Sequence, residues 1–297
     1  MTFLITSHVT GLDFIDENDK KARIQQADEA IRLINLLASD EEKIKSLEAH
    51  DELADFIEKQ LMGYVDSLEK AGRTDCLLYD LAKKVIESGE GRLRCYIEVV
   101  CGLFQAGLGA TGNFLCLCLE FLINGDAYNK PEDVRAYYFS PDRTMDEKRE
   151  AVLEMIRVTQ KKLGGLLPRY APADAILMGD EIQGNSLIYL NFVSANLDEQ
   201  GFAEPLSFNP NRSQIPPGLS KEEISERRAL RKEKNLSFSY GEHMCPGRRI
   251  ALVILQIVFD EFFARFPNAE VLSFEAHTEI FGKPSEVLGL KLNLHTS

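Results

Sequence analysis

The residues best suited to chemistry lie in one short segment, Phe238 to Ala251, which contains Gly241, His243, Cys245 and Gly247. A cysteine immediately ahead of a helix has its thiolate stabilised by backbone N–H groups and by the positive end of the helix dipole. Gly241 and Gly247 let the backbone approach a flat ligand closely. Phe238 is placed to pack on such a ligand, and His243 to reach an anionic group on its edge. A lone cysteine after a glycine turn is more often a buried structural residue. The pattern around Cys245 therefore has to carry the argument.

That pattern reads aromatic, x, x, Gly, x, basic, x, Cys, x, Gly, filled by Phe238, Gly241, His243, Cys245 and Gly247. It resembles the haem-binding loop of the cytochrome P450 family. The resemblance implies haem b (iron protoporphyrin IX) with Cys245 as the axial thiolate, which pushes electron density onto the iron. It also implies that Phe238, Gly241, His243, Gly247 and Ala251 bind the cofactor, His243 as a partner for a propionate. Arg169 falls where the family often supplies another propionate partner.

Glu154 and Arg157 stand three apart, on one face of a predicted helix, and can pair there, although that spacing alone is commonplace. They match the family's Glu-x-x-Arg. The resemblance joins them to Arg212 in a buried charge network. Taken singly, Arg169 and Arg212 read as solvated surface arginines. The resemblance runs from about Asp55 to the C-terminus and is densest from Leu153 to Pro267.

Two features depart from the family. Its distal helix carries an acid and an alcohol that deliver protons during dioxygen activation. Here the corresponding run is Ala106 to Thr111, and neither alignment of Gly107, Gly109, Ala110 and Thr111 supplies a carboxylate. Thr111, Ala110 and Gly107 occupy the catalytic positions that the resemblance implies, and Gln105 and Asn113 are further polar candidates. The second departure is length. Only about 95 residues precede the long helix, and the chain has no Trp, so no Trp-x-x-x-Arg propionate contact is expected.

The elements that must position these residues are mostly helical. Apolar residues at three- and four-residue spacing predict helices over Ala27–Leu37, Glu48–Leu68, Leu77–Ile86 and Met145–Leu163. A long apolar helix is expected from Arg92 to Asn124. Val99 to Leu119 holds no charge and is long enough to span a bilayer. Its Gln105, Thr111, Asn113 and four glycines favour a central core helix instead, so no membrane span is expected. Leu166 to Asn196 reads as short hairpin strands, Leu197 to Asn235 as irregular chain with one charged helical stretch, and Ile250 to Phe266 as a helix buried nearly all round. An alternating strand closes the chain near Leu288 to Leu294.

The fold expected is mainly α with a small β-sheet, P450-like but lacking the N-terminal sheet and early helices. It is read as one haem-thiolate domain over 1–297, with a helical roof region (1–91), a long central distal helix (92–126) and a haem-binding core with a small sheet and the Cys loop (145–297). Such a haem lies open on one side, to be covered by a homodimer or a second chain.

The net charge of -13 argues against nucleic acid as a partner. Met1 to Val9 lacks a basic start and is not read as a signal peptide. Six cysteines without a regular framework fit reduced thiols in a cytoplasmic protein. The remaining histidines, His8, His50, His277 and His295, show no metal-binding spacing in sequence. The expected function is a haem-thiolate oxidoreductase acting on a small organic substrate by monooxygenation or an atypical variant. Electrons would come from a ferredoxin- or flavodoxin-type donor docked on Arg227, Arg228, Arg231, Lys232 and Lys234 together with Arg248 and Arg249. The alternatives are a peroxide-using, isomerising or dehydrating enzyme, and a non-catalytic partner subunit.

Overall fold

A computed structural model describes residues 2–34, 38–68, 73–213, 220, 222–223, 225–226, 235–277 and 286–295. They form two compact units, Met1–Asn113 and Phe114–Ser297, whose boundary falls within one helix.

The first unit is helical: α1 (Thr2–Thr10), α2 (Glu17–Ala30), α3 (Asp40–Asp66), α4 (Leu77–Ser88) and the start of α5 (Leu93–Asn124). Helix α1 was not foreseen, because its serines and threonines hide the periodicity. Three of those hydroxyls are spent inside the helix or buried beside it, as where Ser7 Oγ donates to the Phe3 carbonyl at 2.7 Å. Helix α3 begins at Asp40, eight residues before the apolar pattern suggests. Ser39 and Glu42 set that start through a reciprocal capping box. Leu53, Ile57, Leu61, Leu78, Ile97 and Phe104 are fully or almost fully buried in this unit's core.

Helix α5 is long and apolar enough, by length and composition, to cross a membrane. Its first half supplies Ile97, Val100, Cys101 and Phe104 to the first core, and its second half supplies Cys118, Phe121 and Leu122 to the core of the second unit. It ends where the Gly125 N–H reaches the Phe121 carbonyl at 2.8 Å.

In the second unit, α6 (Pro131–Tyr138) occupies the polar stretch for which no helix was expected. Proline in its first turn and Glu132 and Asp133 beside it are helix-start signals that outweigh the weak apolar pattern. Helix α7 (Met145–Thr159) starts on a second capping box, Thr144 with Glu147, and buries nine consecutive residues, Ala151 to Thr159. The predicted hairpin region holds β1 (Leu166–Tyr170) paired antiparallel with β4 (Leu187–Asn191), and β2 (Ala175–Leu177) with β3 (Asp180–Ile182). A short helix α8 (Phe192–Asn196) follows at once. Residues 197–213 are irregular but for a 3-10 turn at Pro210–Ser213. The last helix, α9 (Arg248–Arg265), leads into the antiparallel pair β5 (Glu270–His277) and β6 (Glu286–Asn293). The mainly α fold with small sheets is as expected.

One correction concerns α9, which is not buried all round. Leu252, Leu255 and Phe259 enter the core, whereas Ile250 and Val253 are each 38% exposed and Ile257 is 51% exposed. Composition alone does not say which apolar face of a helix finds a partner within the unit.

The turn after α5 is held by charge. Asp126 accepts from the Tyr128 N–H and from Asn129 Nδ2, both at 2.9 Å, and pairs with Lys161 at 2.8 Å. Burial opposes ionisation of this carboxyl, but Lys161 and the two hydrogen bonds outweigh it and hold its pKa below the usual 3.8. A carboxylate with a depressed folded-state pKa stabilises the fold above its unfolded pKa, and that stabilisation is lost as pH falls through the folded value. Asp126→Asn should therefore destabilise most at neutral pH and converge on the parent protein below the usual carboxylate range. Denaturant unfolding at neutral and acid pH checks this, and a penalty that does not change with pH would show that the charge is not what matters.

Candidate functional site

The site is built outward from α7. Burying Glu154 and Arg157 inside a helix surrounded by apolar neighbours is tolerable only if both are paired and fully hydrogen-bonded. They are. Arg157 is 0% exposed and donates Nε and Nη2 to the two carboxylate oxygens of Glu154, each at 2.8 Å. Its Nη1 reaches the carbonyls of Asn196 at 2.8 Å and Pro205 at 2.6 Å. The Phe202 ring lies 4.7 Å from its guanidinium. Arg212 completes the network by donating Nε to Glu154 Oε1 at 2.9 Å and other N–H groups to the carbonyls of Ala203, Glu204 and Ser207. Arg157 and Arg212 thus share the carboxylate of Glu154, and the two arginines hold the chain over 196–207 through its carbonyls.

The network extends toward Cys245 through a residue to which the sequence, beyond a family-like lead-in to Arg212, assigns no role. Asn196, the last residue of α8, is fully buried. While its carbonyl accepts from Arg157, its side-chain oxygen accepts from the Leu236 N–H at 2.7 Å and its amide donates to Ser237 Oγ at 3.3 Å. The cysteine loop thereby starts from a fixed point. The only hint in the sequence is a polar residue next to an apolar strand-like run, which is too common a signal to select it.

From Leu236 the loop closes on itself. Ser239 and Gly241 both take left-handed backbone conformations, at φ of 61° and 64°. A Cβ at Gly241 would meet nothing within 4 Å, so backbone conformation, and not space, calls for glycine there. These two reversals let the Cys245 N–H donate to the Phe238 carbonyl at 2.8 Å and the Met244 N–H to the Gly241 carbonyl at 3.1 Å. Cys245 then stands just before α9, whose N-cap is Gly247. Phe238 packs on the core of this unit. Ala251 is half-buried and donates its N–H to the Gly247 carbonyl. Arg248 is half-buried, and that burial pulls its pKa below the usual arginine value.

Among the six cysteines, Cys76, Cys101 and Cys118 are buried, and burial pushes the Cys101 and Cys118 thiols up to about 12. Cys245 is exposed, with exposed residues from Tyr240 through Pro246 around it. Among the described residues, the one group of three or more metal-ligating side chains does not include Cys245. Iron in a macrocycle needs few donors from the protein, and a single exposed thiol such as Cys245 could supply one. A Cβ at residue 247 would stand 3.8 Å from the Cys245 sulfur, an ordinary contact that places Gly247 directly beside the thiol. Half-buried Phe238 and Ala251 offer apolar contact, half-buried Arg169 offers positive charge, and exposed His243 offers a ring N–H for a carboxylate. This donor set fits haem.

Arg169 sits on β1 opposite Ile188, and its guanidinium donates to the Pro168 carbonyl at 2.9 Å. The distal candidates lie on α5 in the first unit. Thr111 is buried and Ala110 is exposed. At Gly107 a Cβ would come within 3.1 Å of Thr6, so glycine there admits helix α1. Gln105 is engaged with His50 at 3.1 Å. The basic stretch Arg227 to Lys234 lies outside the described residues.

The second unit is mainly helical and holds one exposed cysteine, on a closed loop ahead of a helix. Comparison with known proteins places this arrangement beside a family. Residues 149–290 match the family model described as Cytochrome P450. Cytochrome P450 CYP105Q4 of Mycobacterium marinum is 26% identical over 226 residues, covering 75% of this chain and 45% of that protein. Cyclomarin C epoxidase CymV of Salinispora arenicola is 30% identical over 141 residues, 43% of this chain and 31% of that protein. Among solved structures, P450BioI in complex with acyl carrier protein ligated to hexadec-9Z-enoic acid superposes with a TM-score of 0.72 at 18% identity, covering 99% of this chain and 65% of that one. The Bacillus subtilis cytochrome P450 PksS gives 0.71 at 20% identity, covering 99% and 66%. The chain thus shares the P450 fold and, over residues 149–290, is similar to the cytochrome P450 family. It spans less than half the length of the curated relatives described and about two thirds of the structural ones.

Removing one member of the buried network leaves a charge without its partner, at a cost of about 3–5 kcal/mol. Glu154→Gln and Arg157→Leu should each lower unfolding stability by that order in urea titrations. Asn196→Ala removes the acceptor for the Leu236 N–H and should cost about 1–3 kcal/mol. A cost near zero for Asn196→Ala would show that the loop does not depend on this anchor.

Proposed function

We propose that this chain is a haem-thiolate oxidoreductase, acting as one domain, in which Cys245 ligates the iron of haem b and the substrate is a small organic molecule. The observation that carries this reading is the exposed Cys245 thiol on a loop closed to Phe238 just ahead of a helix. When bound, haem supplies the redox centre at which a P450-type oxidation is carried out. The chain's own residues supply the setting. Phe238 and Ala251 give apolar contact, His243 and Arg169 neutralise propionates, and Gly241 and Gly247 keep the loop low. Thr111, Ala110 and Gly107 are proposed for the substrate side, where Thr111 Oγ1 is the group that would hold a proton.

Monooxygenation is the first reading, supported by the monooxygenases among the relatives, such as the steroid C26-monooxygenase of Mycolicibacterium smegmatis. It requires an electron donor of ferredoxin or flavodoxin type, for which exposed Arg249 and half-buried Arg248 near the thiolate offer complementary charge. The absence of a carboxylate from Ala106 to Thr111 supports a second reading, peroxide-driven, isomerising or dehydrating chemistry that needs no such relay. The open apolar stripe Ile250, Val253 and Ile257 supports a covering polypeptide, either a second copy or a separate chain, and with it the further reading of a partner subunit. Reduced thiols and an acidic surface fit a cytoplasmic setting without nucleic acid or a membrane span.

The decisive measurement is the absorption spectrum of the haem-supplied, reduced protein under carbon monoxide. The parent protein should give a strongly red-shifted thiolate-type Soret band, and Cys245→Ala should lose it. Failure to retain haem, or an unchanged band in Cys245→Ala, would overturn the assignment. If the band is present, turnover with peroxide but not with a reductase system would select the second reading.

A further inference from the structure

We infer that His50, Glu98 and Cys101 form a second metal site, selective for a divalent cation of the zinc type and distinct from Cys245. His50 projects from α3, and Glu98 and Cys101 lie one turn apart on α5, both within the first unit. Their ligand atoms all fall within 4.8 Å of one another, and they form the one such group among the described residues.

The arrangement is aimed as well as close. His50 Nε2 lies 3.1 Å from Glu98 Oε2. Tetrahedral zinc with nitrogen and oxygen ligands at about 2.0–2.1 Å sets its N···O edge at roughly 3.3 Å, so this pair is already spaced for one ion. Sulfur requires an edge of roughly 3.5 Å to either atom, and the three ligand atoms already lie within 4.8 Å of one another, so small side-chain rotations of half-buried His50 and Glu98 would close the set.

Each ligand is also held from behind. Gln105, 9% exposed, sits 3.1 Å from His50 Nδ1. With the amide turned so that its oxygen accepts, Gln105 fixes the ring with Nε2 facing the ion. Arg94 Nε binds the other carboxylate oxygen, Glu98 Oε1, at 2.8 Å, which leaves Oε2 for the metal and offsets the site's negative charge. Cys101 is fully buried and supplies a soft donor. One sulfur, one imidazole and one carboxylate suit zinc, whereas magnesium and calcium prefer all-oxygen shells. A solvent molecule completes the fourth position. The ion would staple α3 to α5.

Zinc titrated calorimetrically into the haem-supplied protein tests the site, with extended X-ray absorption at the zinc edge to read the ligands free of interference from iron. We expect one zinc per chain, with a single sulfur at about 2.3 Å and N/O ligands at about 2.0 Å. Cys101→Ser should remove the sulfur signal. His50→Gln and Glu98→Gln should each weaken binding at least about tenfold, and Gln105→Ala roughly tenfold. In Cys245→Ser both binding and the sulfur signal should persist, so the result does not depend on the haem assignment. Absence of stoichiometric zinc, a shell without sulfur, or a sulfur signal that disappears with Cys245 would overturn the inference, and the cluster would then be an ordinary His50–Glu98–Arg94 ion-pair group. Glu98→Gln keeps shape at a partly exposed position and decides the matter if Cys101→Ser does not fold, as judged by circular dichroism.

Discussion

The buried guanidinium of Arg157 is the constraint around which the second unit is organised. A charge with no exposure to solvent must find every hydrogen bond within the protein or destabilise it by several kcal/mol. Glu154 satisfies one edge of the guanidinium, and backbone carbonyls from Asn196, Pro205 and Ser207 satisfy the rest. The irregular chain 196–213 thereby acquires a fixed course without regular secondary structure. Arg212 applies the same logic from the outer side, through the same carboxylate.

The cysteine loop inherits this order. Asn196 is bound to Arg157 by its carbonyl and to Leu236 and Ser237 by its side chain, so a polar network inside the core becomes a positional reference for a loop at the surface. The loop adds its own closure between Phe238 and Cys245. The Cys245 thiol can thus be exposed while its backbone is held from beneath. Mobile chain could not hold a ligand plane at a fixed distance.

In the first unit the polar interior serves a different end. Gln105, His50, Glu98 and Arg94 form a chain of contacts that ends beside the buried Cys101. Gly107, at the position aligned with the family's distal residues, has a packing role against Thr6 of α1. Both observations make this stretch of α5 a place where helices are joined as well as a candidate distal surface.

The sequence by itself determined whatever depends on neighbours close along the chain. Capping boxes at Ser39 and Thr144, the pairing of Glu154 with Arg157, the alternating strand near Leu288 and the spacing from Phe238 to Gly247 are all set within a few residues, and each is legible from residue types. Even there, weak periodicity concealed α1 and α6, and the start of α3 follows its cap and not its apolar pattern. Only the tertiary structure decided which distant groups share an environment. It chose Asn196 as the anchor of the loop, left Ile250, Val253 and Ile257 uncovered, and set His50 beside Glu98 and Cys101 although no spacing links them. The physical reason is that burial and the pairing of charges are properties of the space between elements, and a helix or strand pattern fixes only which face is offered to that space.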